Sequence, residues 1–245
     1  DYPATREGAL AIADFNLDQW PEVYIGNQVF DAATLRLLCA GPTDGNMGKS
    51  SNMRNNTQPL MSFAADIIGD QHPELVCGNT IYNVNIVSRT DPSLNSIQTA
   101  KIITPPPPAP QDGHVTIADF DSDGQLDVLV SIDEHPNNYT SYDNYLYAYN
   151  PYTGQILFHH TINSNAFGHP LVGDINGDGN PEIILFDRNY HINAYQYSPT
   201  LGLTTLFQQT HDVTSGQPSA ILFDFNHPLA GKDIVYWVKV LEICD

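Results

Sequence analysis

Asp174-Ile175-Asn176-Gly177-Asp178-Gly179-Asn180-Pro181-Glu182 places oxygen side chains at loop positions one, three, five and nine. On a tight turn, oxygens at alternate positions converge on one point, as a hard cation such as Ca²⁺ requires. Gly177 and Gly179 permit the left-handed backbone that turns them inward. The Asn180 carbonyl adds a backbone donor at position seven. Ile183-Ile184-Leu185 follows at once and reads as a buried strand. An EF-hand shares this opening but needs a bidentate Glu at position twelve, where this chain has Leu185. The stretch is predicted to be a short calcium loop between two strands.

The arrangement recurs. Asp14, Asn16, Asp18 and Glu22 keep the spacing in a first copy, with Trp20 supplying its carbonyl. Asp119, Asp121, Asp123 and Asp127 keep it in a third, with the carbonyl of Gln125. Carboxylates crowded on one loop repel one another, and a bound dication is the simplest offset. The alternative is an Asx-rich turn without metal. A second copy, at Asp66, Asp70 and Glu74, has Ile68 at position three. A fifth, at Asp224, has Pro228 at position five, and its Asp233 arrives one residue late. Both are expected to be metal-free turns. Three Ca²⁺ ions, in the Asp14, Asp119 and Asp174 loops, would take the formal charge from −19 to about −13.

The elements that must position these loops follow from the repeat. Leading aspartates at 14, 66, 119, 174 and 224 are 52, 53, 55 and 50 residues apart. A period near fifty in a chain rich in Tyr and Phe predicts propeller blades. Each unit supplies a strand before the loop, a strand after it and a hairpin, as in Leu146–Tyr149, the turn Asn150–Gly154, and Gln155–Phe158. Four strands per unit make a blade. The expected fold is one all-β domain over 1–245, a β-propeller with repeats at about 9–60, 61–112, 113–168 and 169–216 and a partial fifth at 217–245. The chain reads either as an unusual small propeller or as an excerpt of a larger one, and the unpaired sheet edge that a half-blade leaves favours the excerpt. The opening Asp1-Tyr2-Pro3, without Met, fits a mature or excised segment.

Between the repeats, Gly41 to Gln58 reads as a long exposed loop and Ser131 to Tyr145 as a polar loop ending in Tyr139, Tyr142 and Tyr145. Pro105 to Pro108 with Pro110 reads as a stiff polyproline II strap.

Composition narrows the function. With 28 acidic and 9 basic residues, the surface repels nucleic-acid phosphates and anionic membranes. No apolar run is long enough to span a bilayer. Cys39, Cys77 and Cys244 are an odd set, and the Glu74-Leu75-Val76-Cys77 context favours a buried free thiol over a Cys39–Cys77 disulfide. No Gly-x-Ser-x-Gly, His-Glu-x-x-His or phosphate-binding loop occurs. His114 and His169 each stand five residues before a loop aspartate, at an inner-strand start, and are expected to be polar groups at a channel mouth. His159 and His160 point to opposite strand faces and make a poor ligand pair. Trp20 and Trp237 could stack on sugars, although core packing is the commoner role of such rings.

The repeated Asp-Phe-Asn/Asp-x-Asp-Gly-x-x-Asp/Glu pattern followed by a β-run resembles the FG-GAP/VCBS repeat family, over nearly the whole chain. That family includes integrin α-subunit propellers, some fungal lectins and many bacterial surface proteins. The Phe-Gly and Gly-Ala-Pro signatures of the integrin-type repeat are absent, with only an echo at Ala166-Phe167-Gly168-His169-Pro170. The resemblance implies a calcium-stapled propeller, secreted or at the cell surface, that recognises a glycan or a protein and inserts in no membrane. The rivals are a calcium-dependent polysaccharide lyase, for which basic residues are scarce, and a passive module of a surface protein or filament. Asn55-Asn56-Thr57 and Asn138-Tyr139-Thr140 are glycosylation sequons, relevant in a eukaryotic source.

Overall fold

A computed structural model describes residues 8–49, 60–107, 109, 111–134, 143–162, 166–187 and 191–210. Among these residues the chain forms sixteen strands and a single 3-10 turn at Pro92–Leu94. The strands make four antiparallel four-stranded sheets, each built from consecutive strands. Sheet one contains β1 (Ala11–Ala13), β2 (Glu22–Ile25), β3 (Gln28–Asp31) and β4 (Leu37–Ala40). Sheet two contains β5 (Phe63–Ala65), β6 (Glu74–Cys77), β7 (Thr80–Asn85) and β8 (Ser96–Ile102). Sheet three contains β9 (His114–Ala118), β10 (Asp127–Glu134), β11 (Asp143–Tyr149) and β12 (Ile156–Ile162). Sheet four contains β13 (Ala166–Gly173), β14 (Glu182–Asp187), β15 (His191–Ser198) and β16 (Gly202–Thr210). The expected strand–loop–strand–hairpin unit is thus present four times. The fifth copy, Cys244, Trp237 and both sequons lie outside the described residues.

Register fixes the loops. Ala13 faces Glu22, Ala65 faces Glu74, Ala118 faces Asp127 and Gly173 faces Glu182. In every sheet the last residue before the leading aspartate therefore pairs with the position-nine acid. A slip of one residue would turn that acid to the opposite face.

Side-chain alternation builds a core between successive sheets. Leu75 and Cys77 of β6 pack towards Phe15, Tyr24 and Val29 of sheet one, while Val76 packs towards Val115, Val128 and Tyr147 of sheet three. On β10, Val128, Val130 and Ile132 join that same cluster, and Leu129 points to Ile183, Leu185 and Tyr195 of sheet four. These inner strands are apolar on both faces, the pattern of strands buried on both sides. Cys39 and Cys77 are free and buried, as expected, and burial pushes the Cys39 thiol up to about 12.

Three expected loops turn out differently. Both described ends of the Ser131 to Tyr145 segment are strand: β10 runs on to Glu134, β11 begins at Asp143, and Ile132 pairs with Tyr145, while residues 135–142 lie outside the described residues. Ile132 and Tyr145 are both buried, so apolar alternation keeps the two ends of the segment in the sheet. Tyr139 and Tyr142 fall outside the described residues. The segment from Gly41 is partly sunk between sheets, because Asp112 accepts the Met47 N–H at 3.0 Å and the Gly48 N–H at 2.7 Å. Within the proline strap, the Ala109 N–H bonds the Pro106 carbonyl at 2.8 Å, closing a turn where a continuous polyproline helix was expected.

Candidate metal centres

Four loops share one hydrogen-bond pattern. The buried position-nine acid accepts the backbone N–H that follows the leading aspartate. Phe15 donates to Glu22 at 3.0 Å, Ile67 to Glu74 at 3.0 Å, Phe120 to Asp127 at 2.9 Å and Ile175 to Glu182 at 2.8 Å. The leading aspartate in turn accepts the N–H at position six, from Gln19, Gln71, Gly124 and Gly179. Positions four and six are left-handed throughout. Gly177 and Gly179 do this in the fourth loop, Ser122 and Gly124 in the third, Gly69 and Gln71 in the second, and Leu17 and Gln19 in the first. The backbone frame therefore tolerates side chains at the positions where glycine fits best.

The third loop has the plainest metal chemistry. Carboxylate oxygens of Asp119, Asp121 and Asp127 lie within 4.8 Å of one another. Asp127 is fully buried, and its Oδ1 has no hydrogen-bond partner. Leaving such an atom unmet costs roughly 1–3 kcal/mol or more, and a cation here would meet it. Burial, joined by the charges of Asp121, Asp123 and Asp119, pushes the Asp127 carboxyl up to about 7. Asp123 and Gln125 sit on the exposed rim, where the Gln125 N–H bonds Asp123 at 2.7 Å. A Ca²⁺ ion here would be held by Asp119, Asp121, Asp123, Asp127 and the Gln125 carbonyl, and would supply the positive charge this cluster lacks.

In the fourth loop, Asp178 and Glu182 meet side-chain amides, while Asp174 accepts the N–H groups of Gly177, Asp178 and Gly179. Asn176 Nδ2 reaches Asp178 and Glu182 at 3.0 Å each, and Gln196 Nε2 reaches both carboxylates too, Glu182 at 3.0 Å. Gln196 is the cross-strand partner of Glu182. These bonds hold the Asp178 carboxyl down, to about 2, while burial raises that of Glu182. Asn180 donates from its backbone to Asp178 at 2.8 Å, and its side chain accepts from Ser122 Oγ at 2.7 Å, tying the third loop to the fourth.

In the first loop a guanidinium meets Asp18, the Trp20 carbonyl and Glu22, whereas Asn16 bonds Asp18 and Asp14 accepts the N–H groups of Asp18 and Gln19. Arg89, from the β7–β8 connection of sheet two, places Nη2 2.7 Å from Glu22 and 3.3 Å from Asp18, and also against the Trp20 carbonyl. Its Nη1 lies 2.9 Å from Asp31. Arg89 holds the Asp18 carboxyl below the usual range, while burial raises Glu22 in spite of the arginine. Sequence reasoning missed Arg89 and Gln196. Arg89 gives no linear signal, standing 67 residues from Glu22, whereas Gln196 could be found once strand register was known.

The second loop, expected to be a metal-free turn, keeps its three acids close. Asp66, Asp70 and Glu74 lie within 4.8 Å of one another although Ile68 supplies no oxygen. Among other residues singled out, His114 is buried on β9, and the side chain of His169 is not among those described. His159 is exposed, while His160 is half-buried with its ring 5.7 Å from Tyr195. Trp20 is exposed.

The chain is thus an all-β protein of repeated four-stranded sheets with acidic inter-strand loops. Residues 66–130, from the leading aspartate of the second loop into β10, match the model of the FG-GAP-like repeat. The match spans the second and third loops and the strands between them. No curated protein matches the chain.

Proposed function

We propose that the four sheets are consecutive blades of an extracellular β-propeller, stabilised by Ca²⁺ in the acidic loops, that recognises a glycan or protein partner. The observation that carries the calcium part is the unpartnered, buried Oδ1 of Asp127 among the carboxylates of Asp119 and Asp121. The FG-GAP-like repeat supports the same reading, since such repeats are often calcium-binding and occur in adhesive surface proteins. Outside cells, calcium near millimolar fills loops of modest affinity. No helix among the described residues is long and apolar enough to cross a membrane.

Continuation of the blade series is supported by position two of each loop. Phe15, Ile67 and Phe120 are 1%, 0% and 2% exposed where the next sheet covers them, but Ile175 of sheet four is 37% exposed. A further blade would cover it. Recognition is supported by a cleft of about 380 Å³ between the first two sheets, lined by Asn16, Asp70, His72, Glu74, Asn83 and Asn85. Amides, carboxylates and an imidazole there can bond sugar hydroxyls or peptide groups.

Two measurements test the proposal. Calcium titration should show binding that Asp127→Asn weakens. A glycan and protein binding screen in millimolar calcium should yield a ligand whose binding falls in Asn83→Ala and Asn85→Ala. A blank titration would sink the calcium reading, and a blank screen the recognition reading.

A further inference from the structure

The first loop has the acidic frame of its siblings, yet a cation from elsewhere in the chain already occupies it. Positions five, seven and nine, which a metal would draw on, are met by one guanidinium. Arg89 contacts the Asp18 carboxylate, the Trp20 carbonyl and the Glu22 carboxylate, with Nε a further 3.4 Å from Asp18. Its other arm bonds Asp31 at 2.9 Å, on the strand facing Glu22.

The contrast with the third loop is atomic. At position nine, Asp127 satisfies one oxygen with a backbone N–H and leaves the other without a partner. Glu22 satisfies Oε2 with the Phe15 N–H at 3.0 Å and Oε1 with Arg89 Nη2 at 2.7 Å. The same position is therefore met by a guanidinium in one copy and by no side chain in the other. A guanidinium remains charged at any physiological pH and offers five donors in a planar fork, so it can engage several oxygens at once.

The arginine is also braced from behind. Asn95 Oδ1 accepts the N–H groups of Val87 at 2.8 Å and Ser88 at 2.9 Å, and its Nδ2 donates to the Ser88 carbonyl at 2.8 Å and the Leu38 carbonyl at 3.3 Å. Ser88 Oγ accepts the Asp91 N–H at 2.9 Å. Arg36 donates to the Arg89 carbonyl, and Asn16 Nδ2 reaches the Ile86 carbonyl at 3.4 Å. A connection held by its own side chains presents the guanidinium with little further ordering cost, and a tethered cation does not dilute away. A dication entering the loop would have to expel Arg89 or sit against its charge.

We propose that Arg89 is the resident cation of the first loop, a tethered substitute for Ca²⁺ that clamps sheet one to sheet two without metal, and that removing it uncovers a calcium site made by Asp14, Asn16, Asp18, the Trp20 carbonyl and Glu22. This rests on the reading that loops of this type bind calcium.

The test is calcium stoichiometry by titration calorimetry, with melts in EDTA and in millimolar calcium, for the unmutated chain, Arg89→Ala, Arg89→Gln and Asp127→Asn. Arg89→Ala should melt lower than the unmutated chain in EDTA, bind one more calcium ion, and recover most of the lost Tm when calcium is added. Arg89→Gln, closer in size, tests the same gain if the alanine variant folds poorly. Asp127→Asn should lose one ion. Equal stoichiometry in the unmutated chain and both arginine variants overturns the proposal, while the loss in Asp127→Asn leaves the third-loop reading standing. A blank titration in all four proteins overturns both. A calcium-loaded structure with an ion among Asp14, Asp18 and Glu22 and Arg89 swung away would also overturn the proposal.

Discussion

Asp127 accepts the Phe120 N–H at 2.9 Å through one carboxylate oxygen and buries the other with no partner at all. Native interiors rarely keep such an atom, and where they do it marks strain or a missing ligand. Asp127→Asn should therefore separate folding from binding. In EDTA the variant should equal or exceed the unmutated chain in stability, by up to roughly 1–3 kcal/mol, because it no longer buries an unmet charge. In calcium it should show a much smaller rise in Tm. Paired thermal melts decide this, and an undiminished calcium response in the variant would remove Asp127 from the ligand set.

Calcium dependence should itself depend on pH. Burial raises the Asp127 carboxyl to about 7 in the metal-free protein, against roughly 3.9 in an unfolded chain. A group that holds its proton more tightly when folded stabilises the fold fully below about pH 4, and that stabilisation is lost as pH rises through about 7. Ca²⁺ needs the deprotonated carboxylate, so the calcium-induced gain in Tm should be larger near pH 8 than near pH 5.5. Equal gains at both values would argue that Asp127 titrates normally.

Loop backbone can be tested apart from metal. Gly179 has φ +90°, and an added Cβ there would meet no atom within 4 Å. Gly179→Ala should then cost about 1–2 kcal/mol from backbone strain alone. Gln19 holds the same left-handed position in the first loop at φ +74°. Gln19→Gly should be neutral or stabilising by up to about 1 kcal/mol, the relief of strain being partly offset by unfolded-state entropy. Urea unfolding gives both values, and a large loss in Gln19→Gly would contradict the shared frame.

Packing between sheets makes position two unequal along the chain. Phe120 is buried among Leu129, Phe158 and Ile183, with its ring edge-on to Phe158 at 6.0 Å. Phe120→Ala should cost about 3–5 kcal/mol. Ile175, at the same position in the fourth loop, is 37% exposed, and Ile175→Ala should cost about 1 kcal/mol in this chain. Where a further blade covers sheet four, the second cost should rise towards the first.

Much of the molecule was legible in the linear chain because its information is local and repeated. Asp174 to Glu182 spells a loop by spacing alone, since neighbouring residues on a tight turn cannot avoid converging. The spacing of the leading aspartates and the apolar runs behind them predicted the strands of all four sheets, because β alternation and turn chemistry act over a few residues. Sequence overran where polarity was taken for a loop, as at Ser131, where cross-strand pairing of Ile132 with Tyr145 extends the strand. Tertiary structure alone decided how each acidic loop is neutralised. Asp127 is left with an unmet oxygen, Glu182 meets the amide of Gln196 across the sheet, and Glu22 meets Arg89 from the next sheet. Charges separated by 67 residues become partners only when two sheets pack, since Coulomb forces follow distance in space and carry no mark in sequence.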